Sequence, residues 1–93
     1  MKLFVDDKIK KPEDEMMTKV ETFGMATILM SVQKYEFVSL DYDGLDILMW
    51  MHDNEKYPEH INVHSDHETG KPEMLKFIKE NFPANIIVTT NSL

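Results

Sequence analysis

Ser39-Leu40-Asp41-Tyr42-Asp43-Gly44 is the stretch on which the reading of this chain turns. Phe37 and Val38 lead into it as a short apolar run, two acids follow one residue apart, and Gly44 breaks the chain ahead of a helical pattern. An apolar strand that ends in acids and passes into a helix presents side chains at the carboxyl edge of a parallel α/β sheet, where such sheets place their ligands. Two other segments end alike. Leu3-Phe4-Val5 runs into Asp6-Asp7, and Ile61-Asn62-Val63 runs into His64-Ser65. If all three are parallel strands, their acids, an imidazole and a hydroxyl gather at one rim.

Working outward, Lys2 to Val5 reads as the first strand. Lys8 to Glu15 is charged, carries Pro12 and has no apolar face, so it reads as a loop in place of the usual crossover helix. Met17 to Thr22 alternates weakly, as an edge strand does, and about ten extended residues before it suffice for a parallel return. Phe23 to Val32 is a helix with Met25, Ile28, Leu29 and Val32 on one face. Glu36 to Leu40 is the third strand. Leu45 to His52 is the second helix, with Leu45, Leu48 and Met49 as its stripe and Trp50 and Met51 widening it. His60 to Val63 is the fourth strand, Asp66 to Lys71 an exposed loop, and Pro72 suits a first helical position. Met74, Leu75, Ile78 and Phe82 carry the third helix to Pro83, and Ile86-Ile87-Val88 reads as a final buried strand. The pattern specifies an α/β fold: a flavodoxin-like, receiver-like open three-layer arrangement, with a mainly parallel sheet of about five strands, three helices and right-handed crossovers.

The 93 residues, 42% of them apolar, suit one compact domain over residues 1–93 with a modest core. A net charge of −7 argues against an extended nucleic-acid surface or diffuse adhesion to anionic lipid. Absence of cysteine removes thiolate metal sites and disulfide scaffolds and fits a reducing compartment, so a cytoplasmic location is expected. The N-terminus enters a strand pattern at once and no long apolar stretch follows, so neither a signal peptide nor a membrane span is expected. Eight methionines are many for this length; five of them, Met25, Met30, Met49, Met51 and Met74, fall in the predicted helices, where gap-filling in the core is expected.

At the rim, Asp6, Asp7 and Asp41 make an oxygen-rich group suited to Mg²⁺ or Mn²⁺, which prefer carboxylate and water ligands. A plainer account of Asp43, ahead of Gly44 and Leu45, is a helix or turn cap. His64 among carboxylates is a candidate general acid. Ser65 is placed to hold a phosphate oxygen or to cap a turn. His67 and Glu68 are loop residues of a kind more often solvated than ligating.

The pieces Leu3-Phe4-Val5-Asp6-Asp7, Ser39 to Asp43, Leu45-Asp46-Ile47-Leu48-Met49-Trp50 and Ile61 to Ser65, with Gly70 and Met74 downstream, resemble the cyclic-phosphate-processing receiver-like domain, a divergent relative of response-regulator receivers. The resemblance spans most of the chain with its order preserved. It implies a receiver-type fold and a role in handling a cyclic phosphate of RNA ends or nucleotide derivatives. By the same resemblance Asp6 and Asp7 match the acidic metal-binding pair, Asp41 the acid ending the third strand, and His64 and Ser65 the His-Ser motif. Asp41-Tyr42-Asp43 stands where the family usually reads Asp-His-Asp, the loop after Asp43 is short, and Glu21-Thr22 replaces a basic residue often found after the second strand. An orthodox phosphoacceptor receiver carries a lysine at the end of the last strand, where this chain has Thr89-Thr90-Asn91. Without that cation, phosphotransfer to Asp41 is disfavoured.

The leading expectation is therefore a small phosphoesterase with a divalent ion on Asp6, Asp7 and Asp41, His64 as acid and Ser65 on a non-bridging oxygen. One rival is a non-catalytic module that sequesters a cyclic nucleotide through Asp43 and Ser65, with Tyr42 stacked on the base. Another is a degenerate receiver acting only through protein contacts.

Overall fold

The computed structural model describes residues 1–6, 17–41, 44–64 and 70–90. Along the chain run β1 (Lys2–Val5), β2 (Met17–Val20), α1 (Phe23–Val32), β3 (Phe37–Leu40), α2 (Leu45–Asn54), β4 (His60–Val63), α3 (Gly70–Asn81) and β5 (Ile87–Thr89). The strands form one sheet in the order β2-β1-β3-β4-β5, and every pairing is parallel. This is the flavodoxin-like α/β architecture that the alternation of strands and helices specifies, and β2 takes the parallel direction.

From β2 onward the chain steps across the sheet in one direction, over β1 to β3 and then strand by strand to β5. Right-handed crossovers that step the same way lie on the same face. Accordingly α1, α2 and α3 share one layer, so the described residues form two layers rather than the three expected, and one apolar cluster joins Ala26, Met30, Ile47, Leu48, Met51, Met74 and Ile78 to Leu3, Val5, Val20, Val38, Leu40, Ile61 and Val63. Side chains alternate along a strand, so Phe4, Ser39, Asn62 and Thr89, which share one register row, face away from the helices. Two residues further, Asp6, Asp41 and His64 take that same face at the carboxyl edge.

Local chemistry sets the elements. Thr22 caps α1, its hydroxyl accepting from the Met25 N–H at 3.1 Å. Gly44 opens α2 in a crowded corner: a Cβ there would lie 2.9 Å from Leu40 Cβ, 3.0 Å from Met74 Cε and 3.1 Å from the Asp41 carbonyl. Proline is tolerated in the first turn because the N–H groups there have no partner within the helix. The third helix therefore starts at Gly70, ahead of Pro72, and takes in two residues that the sequence pattern assigned to a loop.

Three packing expectations are corrected. In α1, Ala26 and Met30 face the core and Leu29 is half-buried, whereas Met25, Ile28 and Val32 are exposed, Ile28 by 65% and Val32 by 78%. The helix FGMATILMSV is apolar nearly all round, so periodicity marks several stripes and tertiary packing selects one. In α2, Ile47, Leu48 and Met51 are buried and Met49 is exposed, a stripe shifted by one position. In β5, Ile87 and Val88 are exposed, because this edge strand pairs with β4 alone. No helix among the described residues is long and apolar enough to cross a membrane.

Candidate functional site

The carboxyl edge is fixed first by backbone. The sheet ladder continues one residue past three strands: the Asp6 N–H donates to Val20 O at 3.1 Å, the Asp41 N–H to Val5 O at 3.2 Å and the His64 N–H to Leu40 O at 2.9 Å. Each rim residue is thereby held by the neighbouring strand. The Gly44 N–H closes onto Asp41 O at 3.0 Å and turns the chain into α2.

Three side chains converge on this scaffold. Asp6, Asp41 and His64 each offer one ligand atom, and these atoms all lie within 4.8 Å of one another. All three are buried, at 3%, 8% and 7% exposure. Two carboxylates this close raise each other's energy, and burial removes the water that would screen them. A divalent cation with oxygen ligands relieves that repulsion, so the paired carboxylates fit Mg²⁺ or Mn²⁺.

The imidazole of His64 is held on every side. Its Nε2 lies 2.8 Å from Asp6 Oδ2 and its Nδ1 2.7 Å from Ser39 Oγ. The ring stacks on Phe4 with centroids 4.6 Å apart and planes 8° from parallel. Ser39 in turn accepts from Asn62 Nδ2 at 3.0 Å, and Asn62 Oδ1 accepts from Thr89 Oγ1 at 2.6 Å. The Asp6–His64–Ser39 order resembles a hydrolase triad, but Ser39 is wholly buried, so its hydroxyl cannot meet a substrate.

Of the residues singled out from sequence, the structure brings Asp6, Asp41 and His64 together. Asp7, Tyr42, Asp43 and Ser65 lie outside the described residues, as do His67 and Glu68. Sequence reasoning passed over Ser39 and Asn62. The signal was present: each is a polar residue in the middle of an otherwise apolar strand, in a sheet that buries both faces, and such a group needs a hydrogen-bond partner.

Comparison with known proteins adds one finding. A family model described as the cyclic-phosphate processing receiver domain matches residues 1–80. No curated protein matches the chain, and no solved structure does.

Proposed function

We propose, because this chain belongs to the cyclic-phosphate processing receiver family, that its carboxyl rim opens a cyclic phosphate in a nucleotide derivative or at an RNA end. Ring opening adds water across one P–O bond: the water oxygen joins phosphorus, and a proton goes to the departing alcohol oxygen. The observation that carries the reading is the buried Asp6, Asp41 and His64 cluster at the strand ends. Asp6 and Asp41 would hold Mg²⁺ or Mn²⁺, with Asp7 and Ser65 adjoining them in sequence to Asp6 and His64. A bound divalent ion supplies Lewis acidity and neutralises phosphate charge. The chain's own part is to fix the two carboxylates: β1 and β3 set their spacing, and His64 Nε2 lies against Asp6 Oδ2 at 2.8 Å.

The test is incubation of the purified chain with 2′,3′-cyclic nucleotides, cyclic dinucleotides and ADP-ribose cyclic phosphate, with Mg²⁺ or Mn²⁺, resolved by chromatography. Expected is metal-dependent ring opening that Asp6→Asn and Asp41→Asn abolish. Turnover that survives both variants, or persists in excess chelator, would sink the assignment.

A second reading, a module that holds a cyclic phosphate without converting it, is favoured by a specific observation. Both His64 ring nitrogens are already engaged inside the protein, so neither faces a substrate. Saturable binding in calorimetry with the ligand recovered intact distinguishes it from the first.

A further inference from the structure

The hydrogen bonds behind His64 form one continuous chain across the sheet face, and donor and acceptor chemistry fixes its direction. Asn62 Oδ1 only accepts, so the Thr89 hydroxyl proton points to it at 2.6 Å. Thr89 has no second proton, so His60 Nε2, 2.7 Å from Thr89 Oγ1, must be the donor there. On the other side Asn62 Nδ2 donates to Ser39 Oγ. Ser39 is wholly buried and its other side-chain contact is a donor, so a hydroxyl proton not given to His64 Nδ1 would lack an acceptor; Ser39 therefore directs it to Nδ1, which accepts. His64 is left with its proton on Nε2, where the Asp6 carboxylate receives it. Every link from His60 to Asp6 donates in the same sense.

We propose that Ser39, Asn62, Thr89 and His60 act as positioning residues that hold His64 in the Nε2–H tautomer and so aim Asp6 at the cation site. The inference deepens the proposed function and rests on its placement of a cation at Asp6 and Asp41. The reverse sense, with Nδ1 protonated, would set the Nε2 lone pair of a neutral ring against the Asp6 carboxylate 2.8 Å away, a repulsive contact. Ser39, Asn62 and His64 are all buried, so solvent is not at hand to substitute for a missing link. Linked hydrogen bonds of this kind orient metal-ligating groups from outside the coordination sphere, and removing one typically weakens metal binding by about 10- to 100-fold.

Long-range ¹H–¹⁵N spectra of the metal-free protein at alkaline pH, where histidine is neutral, read the tautomer without reference to activity. The expected result is a protonated Nε2 and an unprotonated Nδ1 on His64, and a protonated Nε2 on His60. A protonated Nδ1 on wild-type His64 would overturn the proposal outright. Asn62→Asp presents acceptors to both Ser39 and Thr89, so the Ser39 proton turns away from His64 and Nδ1 becomes the protonated nitrogen. Ser39→Ala, a smaller change, should weaken Mn²⁺ binding by about 10-fold or more in calorimetry; unchanged affinity in a folded Ser39→Ala protein refutes the positioning role. Failure to turn over any cyclic phosphate would count against the proposed function and leave the tautomer result standing.

Discussion

Removing the His64 ring and replacing it by an isosteric donor have different consequences, because the imidazole makes two polar contacts and one stack. His64→Ala removes one hydrogen-bond partner from each of Ser39 and Asp6 and opens a cavity beside Phe4, which should destabilise by about 2–4 kcal/mol in urea titration. His64→Gln can still donate toward Asp6. If the imidazole serves to orient Asp6, glutamine should recover a large part of the divalent-ion affinity that alanine loses, whereas a ring needed as proton donor should show equal loss of turnover in both. At this scale the sequence was informative where chemistry sits at strand ends, since Asp6, Asp41 and His64 each follow an apolar run. It marked Ser39 and Asn62 only as polar residues inside apolar strands, because their partners are distant in sequence and a register is needed before any contact between them is visible.

Gly44 links the site to its scaffold at the scale of the element. It carries the turn from Asp41 into α2, and the Leu40 and Met74 atoms around it leave no room for a methyl group. Gly44→Ala should therefore cost about 1–3 kcal/mol by overpacking, with a drop in metal affinity if the displaced atom is the Asp41 carbonyl; a thermal melt within error of wild type would show that the corner yields freely. Helix α1 offers the complementary case. Met30→Ala removes a core side chain and should destabilise by about 2–5 kcal/mol, while Ile28→Ser or Val32→Ser on the open face should stay within about 0.5 kcal/mol. The starts of α1 and α2 were readable because Thr22 and Gly44 punctuate them, whereas α3 begins two residues ahead of Pro72 and α2 runs on to Asn54. The buried face of α1 was not, because a helix without a single charged residue gives the hydrophobic pattern nothing to contrast with.

For the whole molecule, the sheet has two unlike faces. The helix side is packed with Leu, Val, Ile and Met, and the far side carries a buried polar chain that ends at the carboxylate rim. The mainly parallel α/β class followed from the alternation of elements, but the strand order came from the structure, and the division of labour between faces emerges only when register aligns Phe4, Ser39, Asn62 and Thr89 in one row. The net charge of −7 complicates any test of a cation site, since any salt screens self-repulsion and raises stability somewhat. Ion-specific binding must therefore be separated from screening by matching ionic strength. At a concentration 100 times its Kd, a divalent ion that binds only the native state adds about 2.7 kcal/mol, and for a chain of this size that corresponds to a rise in Tm on the order of 10 °C. Wild type should show this rise with MgCl2 or MnCl2 over NaCl of equal ionic strength, whereas Asp41→Asn should show only the small increase common to both salts. An equal response of the two proteins at matched ionic strength would mean that the ions act on the acidic surface as a whole, and that the paired carboxylates hold none of their own.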